Sequence, residues 1–342
     1  MRNKNCEYIA KVPSNIAFIK YWGKRDKEQQ WPANSSLSMT LTNCYTLTKV
    51  SHLQEAEDHK IYLGDKELFR GDSFATKIFA HLDRLAKTLG QHEKLLVFTE
   101  NKFPTACGIA SSASGLAALT LAAIAAWTES TDWDSLEQKK FSKERLAYLA
   151  RLGSGSACRS FWEGFVYWDA GASAKGQQVQ ALFPQKHWNL QDTIILFSQN
   201  LKKKPSSQAH LDAWSSLLFK PRLAGLRERE EKIKLALENR NIKELGFHLE
   251  QEALEMHSVM MTANPPTCYL DDKSSQFISW VKSIRREKGI PVYFTIDAGP
   301  NIHIIGEEEA QKLFHHELKK SFPDIPFIQD RVGPGPTLST LT

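Results

Sequence analysis

A Gly/Ser-rich segment precedes a long apolar helix in this sequence, at Phe103–Leu116 (FPTACGIASSASGL). Backbone N–H groups of small residues can close around an anion, and the positive end of a helix dipole favours negative charge at the same place. The alternative interpretation is a turn at Pro104 and Gly108, followed by a capping serine at Ser111 or Ser112. The segment has neither the GxxxxGK[ST] pattern of a P-loop nor the GxGxxG pattern of a dinucleotide fold. Taken alone, it leaves both interpretations open.

A lysine inside an apolar run is a second unusual feature, at Lys20 within the segment NIAFIKYWGK of residues 15–24. Burying an ammonium group without a partner is expensive, so a lysine at this position indicates an anion nearby. The alternative places Lys20 on the solvated face of an edge strand and Lys24 in a solvated turn. Both interpretations stay open on this segment alone.

A second Ser/Gly segment, RLGSGSACRS at residues 151–160, also opens what reads as a helix. Ser156 and Arg159 then share one helix face at i, i+3 spacing. The guanidinium of Arg159 offers a planar fork of donors that suits a carboxylate or a phosphate. A plain capped turn is the alternative.

An acidic residue ends an apolar strand in YFTIDAGPN, at Asp297 before a Gly-Pro turn. An acid in this place can orient a hydroxyl nucleophile or accept its proton. The alternative is that Asp297 only begins a turn between two strands, as Asp commonly does. The segment alone favours this alternative. Two other segments of the sequence carry charged or titratable side chains. The basic loop KKKPSS at residues 202–207 is either a lid over an anion or solvated surface, and the pair His315-His316 is predicted to be solvated on a surface helix.

Composition limits the class of protein. The chain has 342 residues, with 44 Lys+Arg against 39 Asp+Glu, a formal charge of +5 that is too mild and dispersed for a nucleic-acid binder. The longest apolar stretch, Ala113–Trp127, is shorter than a membrane span and rich in alanine, so it predicts a buried helix. We therefore expect no nucleic-acid partner and no membrane partner.

The cysteines are odd in number and far apart, without CxxC pairs, so free thiols in a reducing compartment are expected. They are Cys6, Cys44, Cys107, Cys158 and Cys268. The N-terminal residues also show no apolar signal region. The resulting prediction is a cytoplasmic protein.

The periodicity of apolar residues predicts a mixed α/β (α+β) protein with two domains, 1–190 and 191–342. Strands are predicted at 8–21, 36–50, 60–63, 94–99, 192–198, 291–296 and 301–305. Helices are predicted at 74–89, 111–127, 142–152, 207–239, 242–260 and 274–288. The segment VGPGP near residue 335 is predicted to form turns.

In combination, these segments resemble the GHMP kinase superfamily, and within it the mevalonate diphosphate decarboxylases closely. The matching segments span nearly the whole chain in the family's order. They are PSNIAFIKYWGK at 13–24, NSSLSMTL at 34–41, FPTACGIASSASG at 103–115, RLGSGSACRS at 151–160 and TIDAGPN at 295–301. The resemblance implies a two-domain fold with the active site in the cleft between the halves. It also implies ATP- and Mg²⁺-dependent phosphorylation of the 3-hydroxyl of mevalonate 5-diphosphate, followed by loss of phosphate and CO₂.

By resemblance, three residues are catalytic. Asp297 orients or deprotonates the 3-hydroxyl, Lys20 pairs with Asp297 and stabilises the transferred phosphate, and Arg159 holds the substrate carboxylate. Substrate-binding residues implied in the same way are Asn15, Tyr21, Lys24, Ser154, Ser156 and Ser207. The ATP phosphates are assigned to Pro104, Ala106, Cys107, Gly108, Ile109, Ala110, Ser111 and Ser112, with Ser112 close to Mg²⁺. A homodimer is expected as well.

Two departures from the family pattern touch the pocket for the 5-diphosphate. The lid reads Ser206-Ser207-Gln208-Ala209-His210, where the family usually has a Gly-Met step, and an arginine that the family places near residue 75 is missing. Lys77 is a candidate to replace that charge. Three alternatives follow: a phosphomevalonate decarboxylase that acts on the 5-monophosphate, a mevalonate 3-kinase, and a catalytically silent ligand-binding regulator on the same fold.

Overall fold

The computed structural model describes residues 6–72, 75–104, 111–197 and 206–341, with the backbone alone at 206 and 207. Helices and strands alternate along it, which confirms the predicted mixed α/β class. The strands are β1 (Glu7–Ile19), β2 (Lys24–Asp26), β3 (Trp31–Pro32), β4 (Ser36–Leu53), β5 (Lys60–Leu63), β6 (Lys66–Leu68), β7 (Lys94–Asn101), β8 (Phe165–Asp169), β9 (Gln178–Phe183), β10 (Leu190–Ile195), β11 (Tyr293–Ile296), β12 (Ile302–Glu307), β13 (Phe327–Arg331) and β14 (Thr337–Leu341). The helices are α1 (Thr76–Leu89), α2 (Ser111–Thr128), α3 (Trp133–Gln138), α4 (Lys143–Gly153), α5 (Ser206–Asp212), α6 (Phe219–Glu238), α7 (Ile242–Thr262), α8 (Asp272–Lys288) and α9 (Glu308–Ser321).

The larger sheet is built around the long antiparallel pair of β1 and β4. Its strand order is β14-β1-β4-β7-β5-β6, and β8 joins β4 while β9 joins β8. The last described strand, β14, thus returns to pair with the first, with Glu7 opposite Leu341 and Lys11 opposite Thr337. The N-terminal end of β1 therefore lies between the C-terminal end of β4 and the C-terminal end of β14.

Helix α2 packs against β1 and β4 on one face of this sheet. It is long and apolar enough to cross a membrane by length and composition, but 78% of it is buried inside the protein. Its many alanines lack bulk, which lets the backbone of the helix approach the sheet closely. The prediction of a buried core helix is confirmed.

The smaller sheet has the antiparallel order β11-β12-β10-β13. A core of Phe277, Val281, Phe294, Ile304 and Phe314 joins it to α8 and α9. A separate core includes side chains of both sheets, such as those of Phe18 and Leu37 in the larger and Ile194 and Ile305 in the smaller. Apolar packing therefore runs continuously from one sheet to the other.

A carboxylate on β13 also ties the two sheets together. Asp330 Oδ1 accepts hydrogen bonds from the backbone N–H of Thr42 at 2.7 Å and of Asn43 at 2.9 Å, and Oδ2 accepts from Cys44 N at 2.8 Å. Three peptide groups of β4 thus find their acceptors on a strand of the smaller sheet. Because buried N–H groups are costly to leave unpaired, this contact fixes the two sheets relative to each other.

Several sequence-based expectations need correction. Strand β1 ends at Ile19, so Lys20 follows the strand instead of lying inside it. The helix predicted over 207–239 is two helices, because the chain forms a 3₁₀ turn at Ala213–Ser215 and Ser216 Oγ accepts a hydrogen bond from Leu218 N. Strands β8, β9, β13 and β14 were not predicted; the short runs of β8 and β13 lack alternation, and β14 follows the turn-forming VGPGP. The domain boundary near residue 190 stays a prediction, although β14 belongs to the larger sheet.

His315 also differs from its prediction. It is half-buried on α9, its Nε2 lies 2.7 Å from Thr193 Oγ1, and its ring stacks on Phe327. The prediction of a solvated pair therefore fails for His315, which packs against the smaller sheet, and holds for the exposed His316.

Candidate active site

The ends of β1 and β11 bring a lysine and an aspartate together. Lys20 Nζ lies 2.7 Å from Asp297 Oδ1 and also donates to Ala17 O at 2.7 Å. Asp297 begins the turn between β11 and β12, where Gly299 N donates to Asp297 O at 2.7 Å. Asp297 therefore both begins a turn and forms an ion pair with Lys20. Its side chain keeps 21% of its surface exposed. Its second oxygen, Oδ2, accepts no hydrogen bond from any residue that the structure describes.

The charge states of this pair follow from burial and from their neighbours. Burial lowers the pKa of Lys20, and Arg159 acts in the same direction, against the opposing carboxylates of Asp297 and Glu252. Burial alone would raise the pKa of Asp297, but the nearby charges, that of Lys20 above all and that of Arg159 further away, hold it below its ordinary value. The carboxylate of Asp297 is therefore ionised at neutral pH, and its Oδ2 can accept a hydrogen bond from a ligand.

Arg159 lies in a 3₁₀ helix, Gly155–Phe161, that crosses the C-terminal end of β1. Its Nε and Nη2 donate to Asn15 Oδ1 at 3.2 and 2.9 Å, and its Nη1 donates to Ser36 Oγ at 2.8 Å. Asn15 is oriented in turn by donating from Nδ2 to Ser160 Oγ at 3.0 Å. A guanidinium has five N–H donors, so two remain without an acceptor among the described residues. This buried fork is fixed in place and still able to bind a carboxylate.

Helix α7 supports the lysine–aspartate pair from below. Glu252 Oε1 accepts from Lys20 N at 3.0 Å and from Arg222 Nη2 at 2.5 Å, while Oε2 accepts from Arg229 Nη1 at 2.8 Å. One turn further along, His257 Nε2 donates to Asp297 O at 3.2 Å. Burial lowers the pKa of His257 to about 4, so the imidazole is neutral at physiological pH. Both residues of the lysine–aspartate pair are therefore held through their backbones.

Several cations lie around the segment that joins β1 to β2, and this group is here called the cationic pocket. Lys24 is buried, and burial followed by the nearby charges of Lys77 and Lys27 lowers its pKa to about 8. Arg151 is buried as well and lies near Tyr21. Within the described part of the chain, no carboxylate is within ion-pair distance of Lys24, Lys77 or Arg151. Such a pocket is suited to an anionic ligand.

The predicted site residues fall into three groups. Lys20, Asp297, Arg159 and Asn15 lie together as described above, and Ser112 Oγ is 3.3 Å from Ser154 Oγ, which brings the start of α2 next to α4. Ser156 is partly buried one residue into the 3₁₀ helix, so it shares a face with Arg159 because residues three apart eclipse there. Pro104 and Ser111 are described and partly buried, on either side of the segment 105–110. Other predicted residues lie outside the described residues or side chains; they are Ala106, Cys107, Gly108, Ile109, Ala110 and Ser207.

Sequence reasoning missed the residues that position the site. Glu252 and His257 belong to a long helix, where one buried carboxylate or imidazole looks like any other polar position. His303 was missed too, although its Nδ1 lies 2.6 Å from Asp192 Oδ2 in a fully buried pair. Asp192 interrupts the apolar run of β10, and His303 likewise interrupts β12. Two polar interruptions in neighbouring buried strands were the signal that was available.

Comparison with known proteins agrees with this geometry. Residues 12–181 match the diphosphomevalonate decarboxylase-like N-terminal domain, and residues 193–335 match the mevalonate 5-diphosphate decarboxylase C-terminal domain. The diphosphomevalonate decarboxylase of Candida albicans is 34% identical, over 96% of this chain and 97% of the relative. That of Saccharomyces cerevisiae is 32% identical, over 93% and 83%.

Solved structures show the same relationship. Mevalonate diphosphate decarboxylase from Enterococcus faecalis is 31% identical with a TM-score of 0.86, over 97% of this chain and 98% of the other. The enzyme from Staphylococcus aureus is 30% identical with a TM-score of 0.87, over 98% of both chains. The fold expected from the GHMP kinase resemblance is thereby confirmed. The chain belongs to the diphosphomevalonate decarboxylase family.

Proposed function

We propose that this chain catalyses the ATP-dependent decarboxylation of mevalonate 5-diphosphate to isopentenyl diphosphate, with phosphorylation of the 3-hydroxyl before loss of CO₂. The observation that carries the proposal is the Lys20–Asp297 pair, 2.7 Å apart, in which Asp297 Oδ2 accepts no hydrogen bond from the described residues. A solved structure of a relative contains MVAPP, AMPPCP and magnesium, which supports the same substrates here.

Asp297 is the group that takes the proton of the 3-hydroxyl. It is ionised and keeps one oxygen without a protein donor, so a substrate hydroxyl can take that place. Lys20 stays next to Asp297 and faces the phosphoryl group that is transferred to the substrate oxygen. Because phosphoryl transfer asks mainly for positioning and charge neutralisation, a fixed lysine and a fixed carboxylate are sufficient protein groups.

Arg159 holds the substrate carboxylate until CO₂ leaves. Its two unused N–H donors provide a fork for that carboxylate, while Asn15 and Ser36 prevent the guanidinium from rotating. Asn15 also lies at the hydroxyl end of the substrate. When the phosphate departs from C3, positive charge develops there, and the carboxylates of the substrate and of Asp297 stabilise it.

The ATP phosphates are assigned to the segment from Pro104 to Ser112. An apolar cavity adjoins Ser111 and Ser112 and is lined by Leu63, Ile78, Val97 and Leu119, which suits an adenine base. Mg²⁺ fits the hydroxyl of Ser112, because magnesium takes most of its ligands from water and phosphates. No group of three or more His, Cys, Asp or Glu that could hold a metal exists among the described residues. When bound, Mg²⁺ supplies charge neutralisation of the phosphates.

The 5-diphosphate is assigned to the cationic pocket, with Tyr21, Lys24, Ser154, Ser156 and Ser207 as its binding residues. Lys77 supports a diphosphate over a monophosphate. Its charge acts on both Lys24 and His210, which supports it as the replacement for the arginine that the family has near residue 75. A second phosphate would compensate the positive charge that a single one leaves.

Incubation of the protein with ATP, Mg²⁺ and each of three substrates tests the proposal. We expect CO₂ and ADP in equal amounts from mevalonate 5-diphosphate, and much less from mevalonate or its 5-phosphate. ADP without CO₂ would indicate a 3-kinase, and CO₂ mainly from the 5-phosphate would indicate a phosphomevalonate decarboxylase. If neither CO₂ nor ADP were released with any of the three substrates, the proposed enzyme activity would be refuted and the ligand-binding regulator would remain.

The cellular setting is part of the proposal. Cys6, Cys158 and Cys268 are free thiols, which supports a reducing, cytoplasmic location. We also expect a homodimer and two domains that divide near residue 190. Light scattering after size-exclusion chromatography measures the mass of the particle, and a monomer at micromolar concentration would contradict the dimer.

A further inference from the structure

His210 is a buried histidine whose position in the sequence is the family's Gly-Met step. It is carried by α5, and its ring is packed between two aromatic rings, 4.3 Å from Tyr21 and 4.5 Å from Trp22. Only 8% of its surface remains exposed. Both rings are tilted against the imidazole, by 37° for Tyr21 and 33° for Trp22, and their contacts restrict its rotation.

The tautomer of His210 is fixed by a glycine amide. Gly23 N donates to Nδ1 at 3.1 Å, so the proton of a neutral imidazole is on Nε2. Gly23 has φ +82°, and an added Cβ would lie 2.2 Å from the ring of Phe219. The turn that presents this amide thus requires glycine. Nε2–H has no acceptor in the described ranges of the chain.

The surroundings of His210 keep it neutral. Burial lowers its pKa well below the ordinary value, and the four charges that act on it most strongly are all cations. They are Lys24, Lys77, Arg159 and Arg222. Arg222 is compensated by Glu252, but Lys24 and Lys77 have no carboxylate partner within the described residues. The neutral Nε2–H of His210 therefore lies near cations that have no carboxylate partner among the described residues. This combination of one neutral donor and several positive charges suits an anion with several oxygens.

We propose that His210 is a substrate-binding residue whose neutral Nε2–H donates a hydrogen bond to a phosphoryl oxygen of the 5-diphosphate. The physical advantage is specific to this pocket. Another cation would add repulsion to Lys24 and Lys77 in the free enzyme, whereas a neutral imidazole adds a donor without adding charge. This inference rests on the proposed function, because it names a further residue for the same substrate.

Two substitutions separate the donor from the anchor. His210→Gln places an amide donor near the position of Nε2, whereas His210→Asn places an amide oxygen near Nδ1 and has no donor that reaches as far. We expect His210→Asn to raise the KM for mevalonate 5-diphosphate roughly ten- to hundredfold, the range of a hydrogen bond to a charged group. His210→Gln should stay within about threefold of wild type, and the KM for ATP should change little in both. The exposed His316 provides matched controls, His316→Asn and His316→Gln.

The alternative role, a purely structural anchor for α5, predicts the opposite order, because only Asn keeps the acceptor for Gly23 N. A KM for mevalonate 5-diphosphate that is equal or lower in His210→Asn than in His210→Gln therefore overturns the assignment. Binding of mevalonate 5-diphosphate by calorimetry gives the same comparison for a variant that folds but turns over poorly. The loss for Asn should shrink when unphosphorylated mevalonate replaces the diphosphate; an unchanged loss also overturns it. Wild-type CO₂ release is measured in the same assay, and its absence would refute the proposed function instead.

Discussion

The Lys20 ammonium lies 2.7 Å from Asp297 Oδ1 although the two residues belong to different sheets. Lys20 follows β1 of the larger sheet, and Asp297 follows β11 of the smaller one. Each is also held through its backbone by α7, Lys20 by Glu252 and Asp297 by His257. One helix therefore sets the distance between the two catalytic groups, and a change in that helix reaches both.

Replacement of the carboxylate tests the role of Asp297. Asp297→Asn keeps the size of the side chain but removes the proton acceptor, so kcat should fall by about 10² to 10⁴-fold. ATP should still bind, as measured by calorimetry. Asp324→Asn is the matched control, since Asp324 is exposed at the edge of the same half of the molecule. Turnover within a few-fold of wild type in Asp297→Asn would remove Asp297 from proton transfer.

Replacement of the guanidinium tests the carboxylate fork. Arg159→Lys keeps the charge but loses the hydrogen bonds to Asn15 and Ser36 and the two free donors. We expect a higher KM for mevalonate 5-diphosphate and a kcat lower by at least about tenfold, measured by steady-state kinetics. Arg227→Lys, at a side chain that is 90% exposed, should behave as wild type. If the two variants were indistinguishable, the substrate carboxylate would have to bind elsewhere.

The pKa of Lys24 predicts a pH dependence of substrate capture. Burial lowers this pKa to about 8, so the free enzyme carries the ammonium below pH 8 and loses it above. Since kcat/KM reports the free enzyme, it should decrease as the pH rises through about 8. Lys24→Arg should remove that decrease, because a guanidinium stays charged, whereas the exposed Lys66→Arg should keep it. A decrease that persists at pH 8 in Lys24→Arg would assign it to another group.

Glu252 is the residue on which the stability of the site depends most. Its fully buried carboxylate pairs with Arg222 and Arg229, so Glu252→Gln leaves two cations short of a counterion. Loss of one partner of a buried ion pair costs about 3–5 kcal/mol, which we expect for the free energy of unfolding in urea. Glu255→Gln is the matched control: it shares Arg229 but is 43% exposed, and should cost under about 1 kcal/mol. Equal losses would show that Glu252 contributes little.

Lys20 and Asp297 could be identified in the sequence as candidate catalytic residues because each departs from the local pattern. Lys20 places a charge against an apolar strand, and Asp297 places an acid at the end of another, so both stand out in the sequence. Their proximity was not predictable from spacing, because it depends on how two sheets pack. The family resemblance supplied that pairing, and the distance of 2.7 Å agrees with it.

The supporting residues were hidden for a physical reason. Glu252 and His257 share a helix whose buried positions also include Met256 and Val259, so nothing in the local pattern sets them apart. Their contacts with Lys20 and Asp297 are made to segments far away in the chain. Strand β14 was missed for a related reason. Its residues alternate only between exposed and partly buried positions, so none of them is an anchor in the core. The strand forms because the edge of β1 is available for pairing. Long-range pairing, not local preference, decides both cases.

The pairing of β14 with β1 has a consequence for how the protein is made. On the ribosome, β1 emerges long before β14, so a nascent chain holds one edge of its larger sheet open until β14 has been made. An open strand edge invites pairing with other chains, and a gene fragment cut after residue 190 would keep that edge open permanently. Expression of such a fragment calls for β14 to be supplied in trans or fused ahead of β1.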